Sequence, residues 1–433
     1  MSEPYKLTVT EVAKRIKGGQ LTPVDLLESL LARIEELEPR LDAWVTIDAE
    51  AARKAAKALT REAQRGNLRG PLHGIPVGVK DIYDTKGLRT TMGSPLFADY
   101  IPDEDAAIVT KLREAGAIII GKTETTEFAY LDPAPTRNPW NTTHTPGGSS
   151  SGSAVAVAAQ MCPLAFGTQT GGSVMRPASF CGVTAIKPTH DLLRREGIYP
   201  QSWSLDHVGF MTRSVDDLRL TLGALTGVDP KSRIKKPRIG VPTTYFNEAG
   251  TEEVTRNYED TIGNLRSIGA EIIDFKLPDV FRVVHSAHRI IMFAEAAAVH
   301  EAKFRERTNL YRPHMQAEVF SGLLIPSSTY LHAQRIRGRF RGDMTDSMID
   351  IDALLTPTAL TSALKGLTST GDAAFNAPWS FAGFPTVTIP SGLTSDGLPL
   401  GVQLIAKPYE EAKLLGVADW CESALLFDAE PSI

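Results

Sequence analysis

The chain has 433 residues, of which 42% are hydrophobic and 22% charged, and its formal net charge is −5. This composition is that of a globular protein with ample apolar material for a core. The acidic balance argues against a nucleic-acid ligand, which selects a basic surface. The first residues lack the apolar run of a signal peptide, and no stretch could span a bilayer. We therefore expect a cytoplasmic protein with no membrane partner.

The three cysteines, Cys162, Cys181 and Cys421, are widely spaced and make no CxxC pair. We therefore expect buried, reduced thiols and no disulfide framework. No linker or composition break divides the chain, which favours one domain over residues 1–433. Within it we expect N-terminal helices over 1–65, a core over 70–225, and a part over 236–433 that completes the same sheet.

The N-terminal region is predicted to be helical. Residues 8–11 (TVTE) fit a capping box. Residues 22–25 (TPVD) start a second helix with a cap residue, a first-turn proline and an acid. Pro39 is expected to end this helix, and the Ala-rich residues 47–65 predict a third.

Beyond residue 70, short apolar runs alternate with helical patterns. The predicted strands are 75–79, 117–120, 163–166, 238–242, 271–273, 352–358, 385–390 and 401–405, with a hairpin turn at Asp396-Gly397. The predicted helices are 106–115, 153–160, 213–225, 252–267, most of 285–347, and 411–425. This alternation predicts an α/β fold, with a large, mixed, mostly parallel central sheet covered by helices on both faces.

The candidate catalytic residues lie in two Ser/Gly stretches and at one lysine. Residues 147–153 (GGSSSGS) and 167–173 (GTQTGGS) are nearly free of side chains, so backbone N–H groups could approach a ligand closely. Ser150 matches a G-x-S-x-G elbow, but a loop precedes it rather than the strand this motif needs. Ser173 fits a nucleophile better, because a predicted strand leads into its turn. Lys80 ends a predicted strand and could act as a base if burial lowers its pKa.

The chain resembles the amidase signature family along nearly its whole length. The matching motifs are 74–81 (GIPVGVKD), 121–129 (GKTETTEFA), 138–141 (NPWN), 146–153 (PGGSSSGS), 167–177 (GTQTGGSVMRP), 204–209 (SLDHVG) and 397–403 (GLPLGVQ). The resemblance implies the amidase signature fold and a Ser–cis-Ser–Lys triad. In this numbering Ser173 is the nucleophile, Ser149 the bridging serine beside a cis peptide bond, and Lys80 the base.

The same resemblance implies an oxyanion hole made of the backbone N–H groups of Thr170, Gly171, Gly172 and Ser173. Ser150 would steady the loop by hydrogen bonds. The implied reaction is acyl transfer through an acyl-enzyme, with no metal or organic cofactor. The substrate would be a small linear amide, and carbamate or ester hydrolysis would share the same tetrahedral chemistry.

Two departures from the family pattern place the chain nearer the malonamidase-like branch and similar to small urethanases. Gln169 stands where most members have aspartate, and residues 190–194 (HDLLR) replace a Gly-Arg pair. In malonamidase the arginine at the position of Arg176 binds the substrate carboxylate. Because most of the family has arginine there, a structural ion pair is also open. The substrate pocket is predicted around Phe128, Ala129, Tyr130 and Trp379.

Three other interpretations remain open. The glutaminase subunit of the tRNA-dependent amidotransferase shares this fold and triad, although it usually has glutamine where His207 stands. A catalytically silent binding protein is disfavoured by the intact triad. A Ser150–His207–Asp206 triad can be assembled on paper, but His207 lies in a family motif with a structural explanation. Homodimerisation is a family-level expectation.

Overall fold

The computed structural model describes residues 3–228, 232 and 234–433, and these form one eleven-stranded sheet with helices around it. The strands are β1 Trp44–Ile47, β2 Pro76–Lys80, β3 Ile118–Thr123, β4 Leu164–Gln169, β5 Thr184–Lys187, β6 His207–Thr212, β7 Arg238–Pro242, β8 Glu271–Phe275, β9 Ala353–Pro357, β10 Thr386–Leu393 and β11 Pro399–Ile405. Their order across the sheet is β1-β3-β2-β4-β6-β5-β10-β11-β9-β7-β8. Strands from both halves of the chain therefore build the same sheet.

The helices surround this sheet. They are α1 Val9–Lys17, α2 Pro23–Leu41, α3 Ala49–Gln64, α4 Ala107–Glu114, α5 Ser151–Ala158, α6 Met175–Cys181, α7 Val215–Thr226, α8 Glu252–Ser267, α9 Val284–Arg307, α10 Pro313–Leu323, α11 Ser327–Ser347, α12 Ala377–Ala382 and α13 Glu411–Leu425. Among the described helices, none is both long and apolar enough to cross a membrane.

The sheet is mixed, as predicted, but antiparallel pairing predominates. β2 runs parallel to β3 and β4, and β7 runs parallel to β8 and β9. The other six pairings are antiparallel, and they include every pairing from β4 across to β9. The expectation of a mostly parallel sheet is therefore corrected. The sequence did not predict β5 and β6. These strands add antiparallel pairings, because β6 pairs antiparallel with both β4 and β5.

Helices cover both faces of the sheet because consecutive strand residues point to opposite sides. In β3, Ile119 packs in the apolar cluster that contains α4, α7 and α13. Its neighbours Ile118 and Ile120 pack in a second cluster with α2, α3 and α5. The apolar run 118–120 of β3 is thus buried on both faces of the sheet, and the predicted three-layer arrangement is confirmed.

Most predicted elements are found within a few residues, and the capping box at Thr8 and Glu11 is present. Pro39 does not end its helix, because α2 continues to Leu41. Pro39 is exposed, so water can hydrate the carbonyl that its missing N–H leaves unpaired. The three cysteines are buried and free, as expected.

The fold brings three strand ends to one edge of the sheet. Because β2 and β4 are parallel, Lys80 and Gln169 end their strands on the same side. β6 is antiparallel to β4 and begins there, with His207 opposite Gln169. Helix α5 packs closely behind this edge. A Cβ on its Gly152 would lie 2.2 Å from the Ala43 carbonyl oxygen and 2.3 Å from the Glu124 nitrogen, so only glycine fits.

Candidate active site

Lys80, the last residue of β2, lies at the centre of this edge and is fully buried. Its Nζ donates to Ser149 Oγ at 2.7 Å and to Thr168 Oγ1 at 3.0 Å. Both partners are uncharged hydroxyl groups. Among the described residues, no carboxylate lies within ion-pair distance of Lys80.

Burial holds the pKa of Lys80 well below its ordinary value, because removing a charged amine from water disfavours the charged form. The negative charge of Asp206 opposes this shift. Asp206 is itself buried, and burial raises its pKa to about 6 against hydrogen bonds from Thr170 Oγ1 and the N–H groups of Gln201 and Ser202. A buried lysine with only one distant counter-charge can lose its proton near neutral pH.

Lys122 shows what a carboxylate neighbour changes. It is buried on the adjacent strand β3, and its Nζ lies 3.7 Å from Asp81 Oδ1. Its pKa falls only to about 8, because the charges of Asp81 and Asp84 offset part of the burial penalty. Lys80 has no such carboxylate at ion-pair distance in the described part of the chain, so less of its burial penalty is offset.

Ser149 follows the Gly148–Ser149 peptide bond, which is cis in the structure. Several contacts hold this loop. Arg176 Nη2 donates to Gly148 O at 2.6 Å, and Ser151 Oγ donates to Gly147 O at 2.8 Å. Thr126 N donates to Ser149 O at 3.3 Å. Ser149 is thereby fixed beside Lys80.

Ser173 lies in the turn between β4 and α6 and is about nine-tenths buried. Ser150 N donates to Ser173 O at 3.3 Å, and Ser150 Oγ contacts the backbone O and N of Thr168, each at 3.3 Å. The two Ser/Gly loops are thus joined through Ser150. Among the described residues, no hydrogen bond joins Ser149 Oγ to Ser173 Oγ.

Gln169 anchors the turn that carries Ser173. Its Oε1 accepts from Val174 N and Met175 N, both at 2.9 Å. Its Nε2 donates to Ser380 Oγ at 3.0 Å, and Ser380 Oγ donates in turn to Gly171 O at 2.8 Å. The amide side chain uses both its donor and its acceptor, which a carboxylate at this position could not do. The sequence marked Gln169 only as a departure from the family pattern.

A cavity of about 710 Å³, called here the Ser173 cavity, opens onto this turn. Its lining includes Ala129, Tyr130, Leu131, Thr170, Gly171, Gly172, Ser173, Arg176, Gln201, His285, His288, Arg289, Met292, Phe293 and Asp372. In the described part of the chain, the N–H groups of Gly171, Gly172 and Ser173 have no hydrogen-bond acceptor.

Two of the predicted pocket residues line the Ser173 cavity and two do not. Ala129 and Tyr130 form part of its wall, as does Arg176. Phe128 is instead buried against Tyr199 and His300, with ring centroids 5.4 Å and 4.6 Å away. Trp379 is fully buried and stacked on Phe246 at 5.8 Å. Their assignment to the pocket is corrected, because both rings complete the apolar core.

Arg176 has no carboxylate within ion-pair distance in the described ranges, so the structural ion pair is not found. Its Nη2 contacts Gly148 O and Thr370 Oγ1, and its buried Nε has no partner among the residues described. Burial lowers the pKa of Arg176 to about 10, which leaves it charged at neutral pH.

A second cavity of about 520 Å³, called here the His207 cavity, lies beside the first. Its lining consists of Ile82, Ala129, Thr168, Asp191, Arg194, Arg195, Glu196, Ile198, Tyr199, Pro200, Gln201, Trp203, Asp206 and His207. Ala129 and Gln201 belong to both cavities. No sequence motif predicted this cavity, since its wall comes from several separate stretches of the chain.

The triad drawn on paper from Ser150, His207 and Asp206 is not assembled. His207 Nδ1 contacts Leu205 O at 2.6 Å and Gln169 O at 3.3 Å, both backbone oxygens. Asp206 accepts from Thr170 and from two backbone N–H groups. Within the described residues, neither side chain hydrogen-bonds Ser150.

The structure thus brings a fully buried lysine into contact with the serine of the first Ser/Gly loop, beside the turn that carries Ser173. The chain belongs to the amidase family, whose sequence model matches residues 25–415. It is an amidase signature enzyme, of a class that acts on carbon–nitrogen bonds.

Individual relatives agree with this assignment. The chain is 35% identical to the A subunit of the glutamyl-tRNA(Gln) amidotransferase of Geobacter metallireducens, over 98% of both chains. A crystal structure of an amidase matches 97% of this chain and 100% of its own with a TM-score of 0.90 and 33% identity. The peptide amidase of Stenotrophomonas maltophilia matches 98% of both chains with a TM-score of 0.85 and 29% identity.

Proposed function

We propose that the protein hydrolyses the C–N bond of small linear amides through an acyl-enzyme on Ser173, with Ser149 as proton relay and Lys80 as base. The observation that carries this proposal is the contact of Lys80 with Ser149. A fully buried lysine, without a carboxylate in ion-pair distance among the described residues, lies 2.7 Å from the hydroxyl that follows the cis bond. Such an amine can accept a proton near neutral pH.

The steps follow from these positions. Neutral Lys80 takes the proton of Ser149 Oγ while Ser149 takes that of Ser173 Oγ, and Ser173 attacks the amide carbonyl. The proton returns through Ser149 to the nitrogen as the C–N bond breaks, which releases the amine and leaves an ester on Ser173. Water then attacks the ester by the same relay, and the acid is released.

The developing oxyanion would be held by the backbone N–H groups of residues 170–173. Gly171, Gly172 and Ser173 line the Ser173 cavity, and their N–H groups have no protein acceptor in the described chain. One such donor is worth about 10²–10³-fold in rate in other acyl-transfer enzymes. The Gln169–Ser380–Gly171 contacts fix the loop that carries these donors.

Arg176 supports this site through the loop. Its hydrogen bond to Gly148 O holds the residue before the cis bond, so we assign it a positioning role. Arg176 also lines the Ser173 cavity and keeps its positive charge there, which favours substrates with an oxygen acceptor in the acyl part. Carbamates and esters present the same carbonyl and are included as alternative substrates.

Labelling with a fluorophosphonate, followed by peptide mass spectrometry, tests the mechanism. We expect stoichiometric label on Ser173 that is lost in Lys80→Ala and Lys80→Arg, since arginine keeps the charge but cannot act as a base. Ser150→Ala should keep the label on Ser173 and serves as the matched control. Label on Ser150, or none on the wild-type protein, contradicts the proposal. A screen of amides, carbamates and esters then ranks the substrates.

A glutaminase-type subunit is the second candidate, favoured by the 35% identity to the A subunit of an amidotransferase. Gln169 and His207 stand where that kind of protein usually differs, which favours an independent hydrolase. Light scattering on the purified protein and a pull-down from its source cells separate the two. A homodimer that hydrolyses amides alone supports the hydrolase. A stoichiometric second protein that stimulates glutamine hydrolysis supports the alternative.

A further inference from the structure

We infer that the His207 cavity binds the amine leaving group of the substrate, as the counterpart of a Ser173 cavity that binds the acyl group. This inference rests on the proposed function. Each cavity is lined by a residue of the second Ser/Gly loop. Ser173 lines the first, whereas Thr168, which accepts from Lys80 Nζ at 3.0 Å, lines the second. Ala129 and Gln201 are common to both, so the cavities adjoin beside the reacting groups.

The inner end of the His207 cavity offers hydrogen-bond acceptors. His207 Nδ1 contacts two carbonyl oxygens, so Nδ1 must carry the ring proton. Burial lowers the pKa of His207 well below its ordinary value, which keeps the ring neutral. Nε2 is therefore a bare acceptor, and it is buried without a partner among the described residues.

Gln201 supplies a second acceptor at the same place. Its Nε2 donates to Glu318 Oε2 at 2.7 Å, which leaves Oε1 buried and unpartnered in the described structure. The carboxylate of Asp206 and the hydroxyl of Thr168 complete the inner wall. A ligand that satisfies these groups must donate hydrogen bonds, because a buried acceptor without a donor costs free energy.

The arginines of this cavity do not make it an anion site. Arg195 is held by Asp191 at 2.7 Å and by the Trp203 carbonyl, and Arg194 is held by Glu196 at 2.6 Å. All of these residues belong to the exposed or half-buried rim, where their charges cancel. The interior contains no other cationic side chain among its lining residues.

A leaving amine has the complementary chemistry. When the C–N bond breaks, the nitrogen keeps the bonding electron pair and gains the proton passed back through Ser149. The product carries two N–H donors if it is a primary amine and three if it is ammonia. The apolar wall of Ile82, Ile198, Tyr199 and Trp203 can hold a carbon substituent. The volume of about 520 Å³ exceeds what ammonia needs, so we assign the site to primary amines with a small alkyl or aryl group.

Acyl transfer to an added amine tests the inference, because a site that releases an amine must also admit one. An activated ester forms the acyl-enzyme, and benzylamine then competes with water. In aminolysis a C–N bond forms, the C–O bond to Ser173 breaks, and the amine proton passes to Ser173 Oγ. The ratio of benzylamide to free acid reports binding in the His207 cavity independently of acylation.

Two pairs of variants decide the outcome. His207→Phe removes the acceptor and should lower the ratio about tenfold, the size expected for one lost buried hydrogen bond. His207→Gln keeps an acceptor and should stay within about twofold of wild type. Ile198→Phe fills the cavity wall and should lower the ratio for benzylamine more than for hydroxylamine. Ile272→Phe, half-buried on β8 and outside the lining of both cavities, is its control.

The result that overturns the inference is an unchanged ratio in Ile198→Phe together with an unchanged ratio in His207→Phe. If His207→Phe does not fold, Ile198→Phe alone decides. Wild-type protein that forms no acyl-enzyme and takes no label on Ser173 would end the proposed function and this inference together. Labelled, active protein with an insensitive ratio would end only the inference.

Discussion

The Ser173 cavity, of about 710 Å³, and the His207 cavity, of about 520 Å³, differ in the hydrogen-bonding groups that line them. The Ser173 cavity presents donors: the N–H groups of residues 171–173, Arg176 and Arg289, against the single carboxylate of Asp372. The His207 cavity presents acceptors, because its arginines are paired at the rim and its other polar groups include Asp206 and His207 Nε2. Gln201, whose Oε1 is unpartnered among the described residues, lines both cavities. An amide divides in the same way, into a carbonyl that accepts and an amine that donates. The arrangement thus distinguishes the two halves of a substrate by hydrogen-bond polarity.

The largest expected effect comes from the proposed base, Lys80. Lys80→Met should lower kcat/KM by about 10²–10⁴-fold, the usual contribution of a positioned base. The measurement is steady-state hydrolysis of the best amide from the screen, with folding checked by circular dichroism. If folded Lys80→Met protein keeps near wild-type activity, Lys80 is not the base of the hydrolysis reaction.

Trp379→Ala separates the cavity wall from the core behind it. Loss of this fully buried ring should destabilise the protein by about 3–5 kcal/mol, measured by urea unfolding. Its substrate profile should be unchanged, because Trp379 does not line the Ser173 cavity. Tyr130→Ala is the matched comparison and should alter KM across the amide series with a smaller loss of stability. An altered substrate profile with little loss of stability in Trp379→Ala would show that Trp379 contacts the substrate.

Gln169→Leu tests whether the turn that carries the N–H groups of residues 171–173 depends on the side-chain amide of Gln169. The substitution leaves the buried N–H groups of Val174 and Met175 without their acceptor, which should cost about 1–3 kcal/mol. It should also slow fluorophosphonate labelling of Ser173. Ser380→Ala breaks only the link to Gly171, so a smaller slowing is expected. Equal labelling rates in all three proteins would exclude this role for Gln169.

The sequence could predict residues that lie within contiguous motifs. Lys80, Ser149 and Ser173 each stand in a run of small residues whose spacing is distinctive, and the structure places the first two in contact. The strands β2, β3 and β4 were predictable because each contains an uninterrupted apolar run. In contrast, β6 begins with a histidine and contains a glycine, so its residues resemble a loop. Because β6 was not predicted, the antiparallel pairings at the centre of the sheet were not predicted either.

The His207 cavity could not be predicted for the same reason. Which atom of each side chain can accept a hydrogen bond depends on the contacts of its other atom. In His207, Nδ1 contacts two backbone oxygens, which leaves Nε2 as the acceptor. In Gln201, Nε2 donates to Glu318, which leaves Oε1. Those contacts depend on β6 lying beside β4 and on α10 packing over residue 201. The errors at Phe128 and Trp379 have a related cause, since an aromatic residue near a motif can face either the cavity or the core.

The smallest expected effect tests the electrostatic link between the two cavities. Asp206 lines the His207 cavity, and its negative charge raises the pKa of Lys80 against the effect of burial. In Asp206→Asn that charge is gone, so the pKa of Lys80 should fall further. The neutral base then persists to lower pH, and the acid limb of the kcat/KM profile should move to lower pH. Asp191→Asn, at the exposed rim of the same cavity, is the control and should leave the limb in place.

The same substitution has a defined effect on stability. Burial raises the pKa of Asp206 from 3.8 to about 6, so the folded protein favours the protonated carboxyl. The stability that this provides is complete below the unfolded value and is lost as pH rises through the folded one. Asp206→Asn should therefore flatten the pH dependence of the unfolding free energy between those two values. If the acid limb moves to higher pH, or does not move in folded Asp206→Asn protein, the charge of Asp206 does not influence the pKa of the titrating base.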